Sequence, residues 1–301
     1  DQWIIASEVA PPFAVTLEDK PEPKNAAVLL RGNPANRGSE VPRQFLEVLA
    51  GDSRQPFTEG SGRKELAEAI ATRENPLTAR VLVNRVWMHH FGAGIVSTPS
   101  DFGLRAAAPS HPELLDWLAC YFVDDGWSLK KLHRMLVLSA TYQQASTGPA
   151  DEAVLKRARE IDPENALLWR AQPRRLDFEA MRDAMLAVTG ELEPRLGGRG
   201  FPLFHPASPP RRTLYGYVDR QFLPPVYRVF DFPTPDLHNP QRIDTTVPQQ
   251  ALFLMNSPFL QARARALAEK RGWSGSTSRP ISVPRHPPSA RTRCNLWRPR
   301  P

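Results

Sequence analysis

"NPLTARVLVNRVWMHHFG", residues 75–92, decides the fold class. Its apolar side chains fall at 77, 81, 82, 83, 86, 87, 88 and 91. At 3.6 residues per turn they cover most of a helix's circumference rather than one stripe, which marks a helix buried among others. Asn75 is a natural N-cap, Pro76 suits the first helical position, and Gly92 is placed to stop the helix in a left-handed cap. Arg80, Asn84 and Arg85 form a polar line on this apolar helix, and a buried arginine needs a carboxylate such as Asp101, Glu113 or Asp116.

Outward from this helix, the same period recurs. "SHPELLDWLACYFVDDG" (110–126) opens with a Ser-x-x-Glu capping box at Ser110 and Glu113, and Cys120 sits in its apolar pattern as a small core residue. Further helices are expected over 43–51, 63–75, 128–142, 152–162 and 177–190, with a last pair around 247–270 broken at Pro258. "FAVTL" (13–17) and "AAVLLRG" (26–32) read as a hairpin or two edge strands, and "NPANRGSEVP" as a loop. Residues 191–245 are irregular and rich in Gly, Pro and aromatic residues, with "TLYGYV" the one strand-like run. The expectation is a mainly α protein: a multi-helix domain, a small N-terminal β element and a long Pro/aromatic-rich irregular connection. Its divisions would be a β-hairpin and loop-rich segment at 1–62, continuing an upstream domain, an α-helical domain at 63–270, and an Arg/Pro-rich tail at 271–301.

Charge locates rather than identifies. The net +7 resides in the tail, where residues 272–301 hold six arginines and no acid, and the rest of the chain balances to about +1. A nucleic-acid binder carries its positive stripe on a folded face, so nucleic acid is the least favoured partner. The tail has too few aliphatic residues to offset its ordering entropy and reads as disordered, or as an out-of-frame stretch. With only Cys120 and Cys294 there is no disulfide framework. The start at Asp1 suggests a piece of something longer, and no apolar run is long enough to span a membrane.

Site candidates fall into two groups. The polar cluster Arg80, Asn84, Arg85, Asp101, His111 and Asp116 is either an internal ion-pair network or a pocket for carboxylates or sugar hydroxyls. The loop residues Tyr215, Tyr217, Tyr227, Asp231, Asp236 and His238 form a candidate ligand-binding loop, because rings stack on sugars and sites favour loops. His89 and His90 are adjacent, so they diverge by about 100° on a helix and do not ligate one metal together. Asp177, Glu179, Arg182 and Asp183 could pair carboxylates for acid–base work, but their helical spacing favours a solvated, salt-bridged helix face. No phosphate-binding loop, nucleophile elbow, dinucleotide fingerprint or haem-attachment Cys-x-x-Cys-His occurs.

The run from Asn75 to Ser146 resembles the signature of the domain of unknown function 1553 family. "LLRGNPANRGSEVPRQFL" (29–46), "RRLDFEAMRDAMLAVTGEL" (174–192) and "FDFPTPDLHNPQRIDTTVPQQALFLMNSPFLQARA" (230–264) match further motifs in order, out to about residue 270. Such domains end large exported, planctomycete-type polypeptides that carry an upstream c-type cytochrome domain. The resemblance therefore implies an extracytoplasmic location, that cytochrome domain as partner, and haem c upstream with no cofactor or metal in this chain. It supplies no catalytic residues. The function that suits such a setting is a scaffold or binding module, holding polysaccharide or docking the haem domain. The alternative is a hydrolase or redox-linked enzyme acting on complex glycans, and nucleic-acid binding through the tail ranks last. A deep pocket gathering Arg85, Asp101 and His111 would favour the enzyme. A shallow surface of Tyr215, Tyr217, Phe222 and Tyr227 would favour binding.

Overall fold

The computed structural model describes residues 16–52, 54–205 and 208–270. Most of "FAVTL" and all of the 271–301 tail, with Cys294, lie outside the described residues. Ten α-helices and a two-stranded sheet make up the described chain, which is therefore mainly α with a small N-terminal β element. It splits into two compact units at Arg174/Arg175.

In the first unit, β1 (Ala26–Leu29) pairs antiparallel with β2 (Arg37–Val41). The second strand thus comes from the stretch expected to be a loop. The reversal is local: Arg31 and Gly32 take positive φ of 54° and 72°, and a turn closes with Asn36 N–H donating to Asn33 O at 3.1 Å. Two short helices come next, α1 (Glu47–Ala50) and α2 (Arg63–Ile70). Then come α3 (Thr78–Phe91), α4 (Pro112–Asp124), α5 (Leu129–Leu138) and α6 (Glu152–Ile161).

Helix α3 packs against α4 and α5, as its all-round apolar pattern requires. Val83 and Leu132 are fully buried, and Leu118, Phe122 and Ile95 are each 2% exposed. Burying each such side chain contributes about 1.5–3 kcal/mol, so this cluster carries the unit. The start of α3 differs in detail from the sequence reading. Asn75 acts from two residues upstream of the N-cap position, its Oδ1 accepting from Leu77 N (3.0 Å) and Thr78 N (3.4 Å), while its Nδ2 donates to Ile70 O at 3.2 Å. One side chain thereby closes α2 and opens α3.

Two expectations on α4 are corrected. Pro112 sits at the helix start with His111 as N-cap, so Glu113 arrives too early for a capping box, and the Ser110 hydroxyl donates instead to Ile95 O at 3.3 Å. Cys120 is exposed. The buried stripe runs Leu115, Leu118, Ala119 and Phe122, which turns position 120 to the outer face with Asp116 and Trp117.

The second unit contains α7 (Phe178–Thr189), α8 (Pro225–Val229), α9 (Pro248–Asn256) and α10 (Pro258–Lys270). Gly190, with φ 79° and ψ 15°, ends α7 in the left-handed conformation that glycine adopts without a Cβ penalty. Helix α7 packs on α10 and on the 3-10 turn Thr213–Tyr215, which replaces the strand expected at "TLYGYV". The core here is aromatic: Phe178, Phe201, Tyr227 and Phe230, with Leu203. Phe178 meets Tyr227 and Phe230 at ring-centroid distances of 5.8 and 5.2 Å, in the range where tilted ring pairs add to burial. The irregular connection folds because these rings give it a core of its own.

Candidate functional site

The six residues of the expected polar cluster do not converge. Asn84 alone among them is fully buried. Its Nδ2 donates to Val96 O at 3.0 Å and its Oδ1 accepts from Val96 N at 2.9 Å, tying the middle of α3 to the segment C-terminal to it. Gly94 leaves room for this clamp, since a Cβ there would lie 2.9 Å from Asn84 Nδ2 and 2.5 Å from Val96 O. Arg85 is exposed, contrary to its expected role as an internal anchor. The buried set on α3 is Ala79, Val83, Asn84, Val86, Trp87 and Met88, and position 85 points between its arms.

Arg80 finds Asp116 on α4, one of the three carboxylates its sequence context suggested, with Nε donating to Oδ1 at 2.7 Å. Its NH1 also donates to Pro76 O at 2.6 Å. Both side chains of the pair remain partly open, at 35% and 56% exposure. They line one side of a cleft of about 500 Å³ whose other walls include Val96, Phe102, Ala106 and Pro109. Asp101 is exposed and uses its carboxylate on its own turn, accepting from Gly103 N at 2.8 Å. His111 Nδ1 lies 3.0 Å from Ser110 Oγ, so its ring belongs to the entry of α4.

The second group is divided as well. Tyr227 is 1% exposed and is core; burial pushes its phenol above the ordinary value. Tyr215 is half-buried beneath Arg211, whose guanidinium carbon lies 4.4 Å from the ring centroid, and its hydroxyl accepts from Gly197 N at 2.9 Å. Tyr217 and Phe222 are exposed at 63% and 77%. Asp236 accepts from Arg220 Nε at 3.1 Å, and His238 is exposed.

Asp231 is the hub of a network that its neighbours on the chain did not announce. Its Oδ1 accepts from Thr245 Oγ1 at 2.6 Å, and its Oδ2 accepts from Thr245 N at 3.0 Å and Arg175 NH2 at 2.6 Å. Burial alone would raise its pKa, but the hydrogen bonds from Thr245 and then Arg175 outweigh it and hold the carboxyl below the ordinary value. Its backbone takes φ 59°, a conformation rare for a residue with a side chain.

Helix α7 was expected to show a solvated charged face. Instead Glu179 receives a two-pronged bond from Arg242, at 2.7 and 2.9 Å, and both side chains are about a quarter exposed. Burial raises the Glu179 pKa, Arg242 lowers it, and the net is downward. Arg182 is 6% exposed and donates to Arg211 O at 2.9 Å and Thr213 Oγ1 at 3.2 Å. Asp183 in turn accepts from Thr213 Oγ1 and N at 2.6 and 2.7 Å. The two carboxylates of α7 thus face separate partners, Glu179 on Arg242 and Asp183 on Thr213.

The adjacent histidines separate as their helical spacing demands. His89 is exposed. His90 Nε2 lies 2.7 Å from His133 Nδ1 on α5, one nitrogen donating and the other accepting. Burial, then His133, Arg174 and His89, lower the pKa of His90. Among the described residues no group of three or more His, Cys, Asp or Glu is arranged to hold a metal ion, and no described helix is long and apolar enough to cross a membrane.

No curated protein and no solved structure matches the chain. A family model does, over residues 62–284, so the match starts after the N-terminal motif and runs past the point near residue 270 where the resemblance was expected to end. That model is described as PSD1, protein of unknown function (DUF1553), and the chain belongs to this family.

Proposed function

We propose that the chain is a binding module rather than a catalyst, and that its ligand is a polysaccharide held by stacked aromatic rings. The observation that carries this reading is the Tyr217–Phe222 loop. Its backbone is fixed, with Tyr217 N–H donating to Phe201 O at 2.7 Å and the Asp219 carboxylate accepting from Gln221 N and Phe222 N at 2.8 and 3.2 Å. Its two rings nonetheless point to solvent. The Arg220–Asp236 pair ties this loop to the segment carrying Leu237, which is 72% exposed. A rigid backbone presenting exposed rings costs little entropy on binding and suits the apolar faces of sugars.

The rival reading, a hydrolase or redox-linked enzyme acting on complex glycans, needs converging carboxylates. Asp101, Asp116, Asp231 and Asp236 each serve a separate turn or ion pair, which weighs against it. An exported setting beside a c-type cytochrome domain is proposed on the motif resemblance alone. The test is affinity electrophoresis of the full chain through gels cast with soluble β-glucan, xylan or mannan. Retardation by at least one, abolished by Tyr217→Ala/Phe222→Ala at unchanged Tm, is the expected result. Unretarded migration in every gel would sink the proposal.

A further inference from the structure

The first unit holds a cavity well apart in sequence from the Tyr217–Phe222 loop. This cavity, of about 290 Å³, lies beside the C-terminal end of α3, and its lining includes His90, Phe91, Tyr142, Arg170 and Arg174. Its lining contains two arginines, a histidine, two hydroxyls and an amide, and no carboxylate. Neither Arg170 nor Arg174 forms an ion pair among the described residues. Arg170 only stacks over Trp169, at 5.1 Å from the ring centroid. Arg174 spends one nitrogen on the last carbonyls of α3, donating to His89 O at 2.9 Å and His90 O at 3.2 Å. That contact offsets the partial negative charge a helix carries at this end, so the cavity keeps a positive field. Arg80, Arg175 and Arg242, by contrast, each meet a carboxylate, on Asp116, Asp231 and Glu179. Phe91 and Tyr142 supply apolar walls, with ring centroids 5.9 Å apart.

We infer that this cavity binds a small oxyanion-bearing molecule, its carboxylate or phosphate oxygens held by Arg170 and Arg174 and its body lying against Tyr142. Arginine is suited to the task because its guanidinium meets both oxyanions through paired N–H donors. The His90–His133 pair couples the site to pH. One shared proton already bridges the two rings. Each neutral ring already holds one proton; a further proton on His90, with its Nε2 donating, keeps the bridge and adds a charge beside the cavity. The groups facing His90 are His133 on α5, Tyr142 after it, Arg174, and His89 on its own helix, with no acid among them. Anion binding therefore strengthens as pH falls below the ordinary histidine value, where His90 takes up its proton.

The experiment is calorimetric titration of the full chain with benzoate, with inorganic phosphate, and with benzamidine, which has the shape of benzoate and the opposite charge. Benzoate or phosphate is expected to bind and benzamidine not to. Binding by benzoate alone assigns a carboxylate ligand; binding by phosphate alone assigns a phosphate. Arg170→Gln is expected to weaken the anion about tenfold, the scale of one charge-assisted hydrogen bond, while Arg85→Gln on the exposed face of α3 leaves it unchanged. Benzoate, anionic across this range, should bind more tightly at pH 5 than at pH 8, because His90 charges only below the ordinary histidine value. Equal binding of benzoate and benzamidine, no anion binding at either pH, or an Arg170→Gln variant that binds as before would each overturn the inference. Arg170 makes no side-chain hydrogen bond that the fold needs, and circular dichroism of the variant confirms its integrity.

Discussion

Asn84 and Val96 are joined by two reciprocal hydrogen bonds inside the first core, each at about 3 Å, with Asn84 wholly shielded from water. The amide side chain imitates a strand partner, satisfying both backbone groups of Val96 where helix α3 has none to offer. An unmade hydrogen bond in such a place costs far more than a made one contributes.

Asn84→Ala is therefore expected to destabilise the chain by about 2–4 kcal/mol, since it strands a buried N–H and C=O together. Asn84→Asp keeps the acceptor but buries a charge against Val96 O, and should be worse at neutral pH than the alanine. Urea titration followed by circular dichroism measures both. An alanine variant as stable as the parent would show that Val96 finds other partners.

The Glu179–Arg242 and Asp231–Arg175 pairs set an acid limit. Both carboxyls have folded-state pKa values below their ordinary 4.5 and 3.8. Their stabilisation is thus complete above those values and is lost as pH falls through the depressed ones. Stability of the second core should decline below about pH 4.5, and Glu179→Gln should flatten that decline while lowering stability at pH 7. Thermal melts across pH 2–7, monitored by near-ultraviolet dichroism of the aromatic cluster, provide the readout.

Arg80→Ala is expected to cost less than about 1 kcal/mol, because its pair with Asp116 is partly solvated on both sides. A double-mutant cycle with Asp116→Ala gives the coupling. A coupling above about 2 kcal/mol would mean that the cleft shields the pair more than its exposure indicates.

Cys120 should react with a thiol reagent in the folded state, without denaturant. Its exposure places the sulfur on the outer face of α4. Cys120→Ser is expected to remove one reactive equivalent from the native protein and to leave its Tm within about 2 °C, as surface substitutions do. A thiol that reacts only in denaturant would return the residue to the core that its apolar neighbours suggested.

Much of the helical architecture was legible in the sequence because its causes are local. The all-round apolar pattern of 77–91 required a buried helix, Gly190 stops α7, and Pro258 separates the last two helices. Each signal acts within a turn or two of the residue that sends it. The family, too, could be recognised from ordered motifs alone.

Tertiary structure decided which polar residues meet. His90 faces His133 across 43 positions, Arg175 reaches Asp231 across 56, and Glu179 meets Arg242 across 63. The sequence marked out His90, Asp231 and Glu179 and gave no sign of their partners His133, Arg175 and Arg242. It also misassigned Arg85, Cys120 and Tyr227, since one step of 100° around a helix exchanges solvent for core. Local sequence sets where the backbone turns and caps. The packing of whole helices sets which charges are desolvated together, and only that packing brought Arg170, Arg174 and His90 to one cavity.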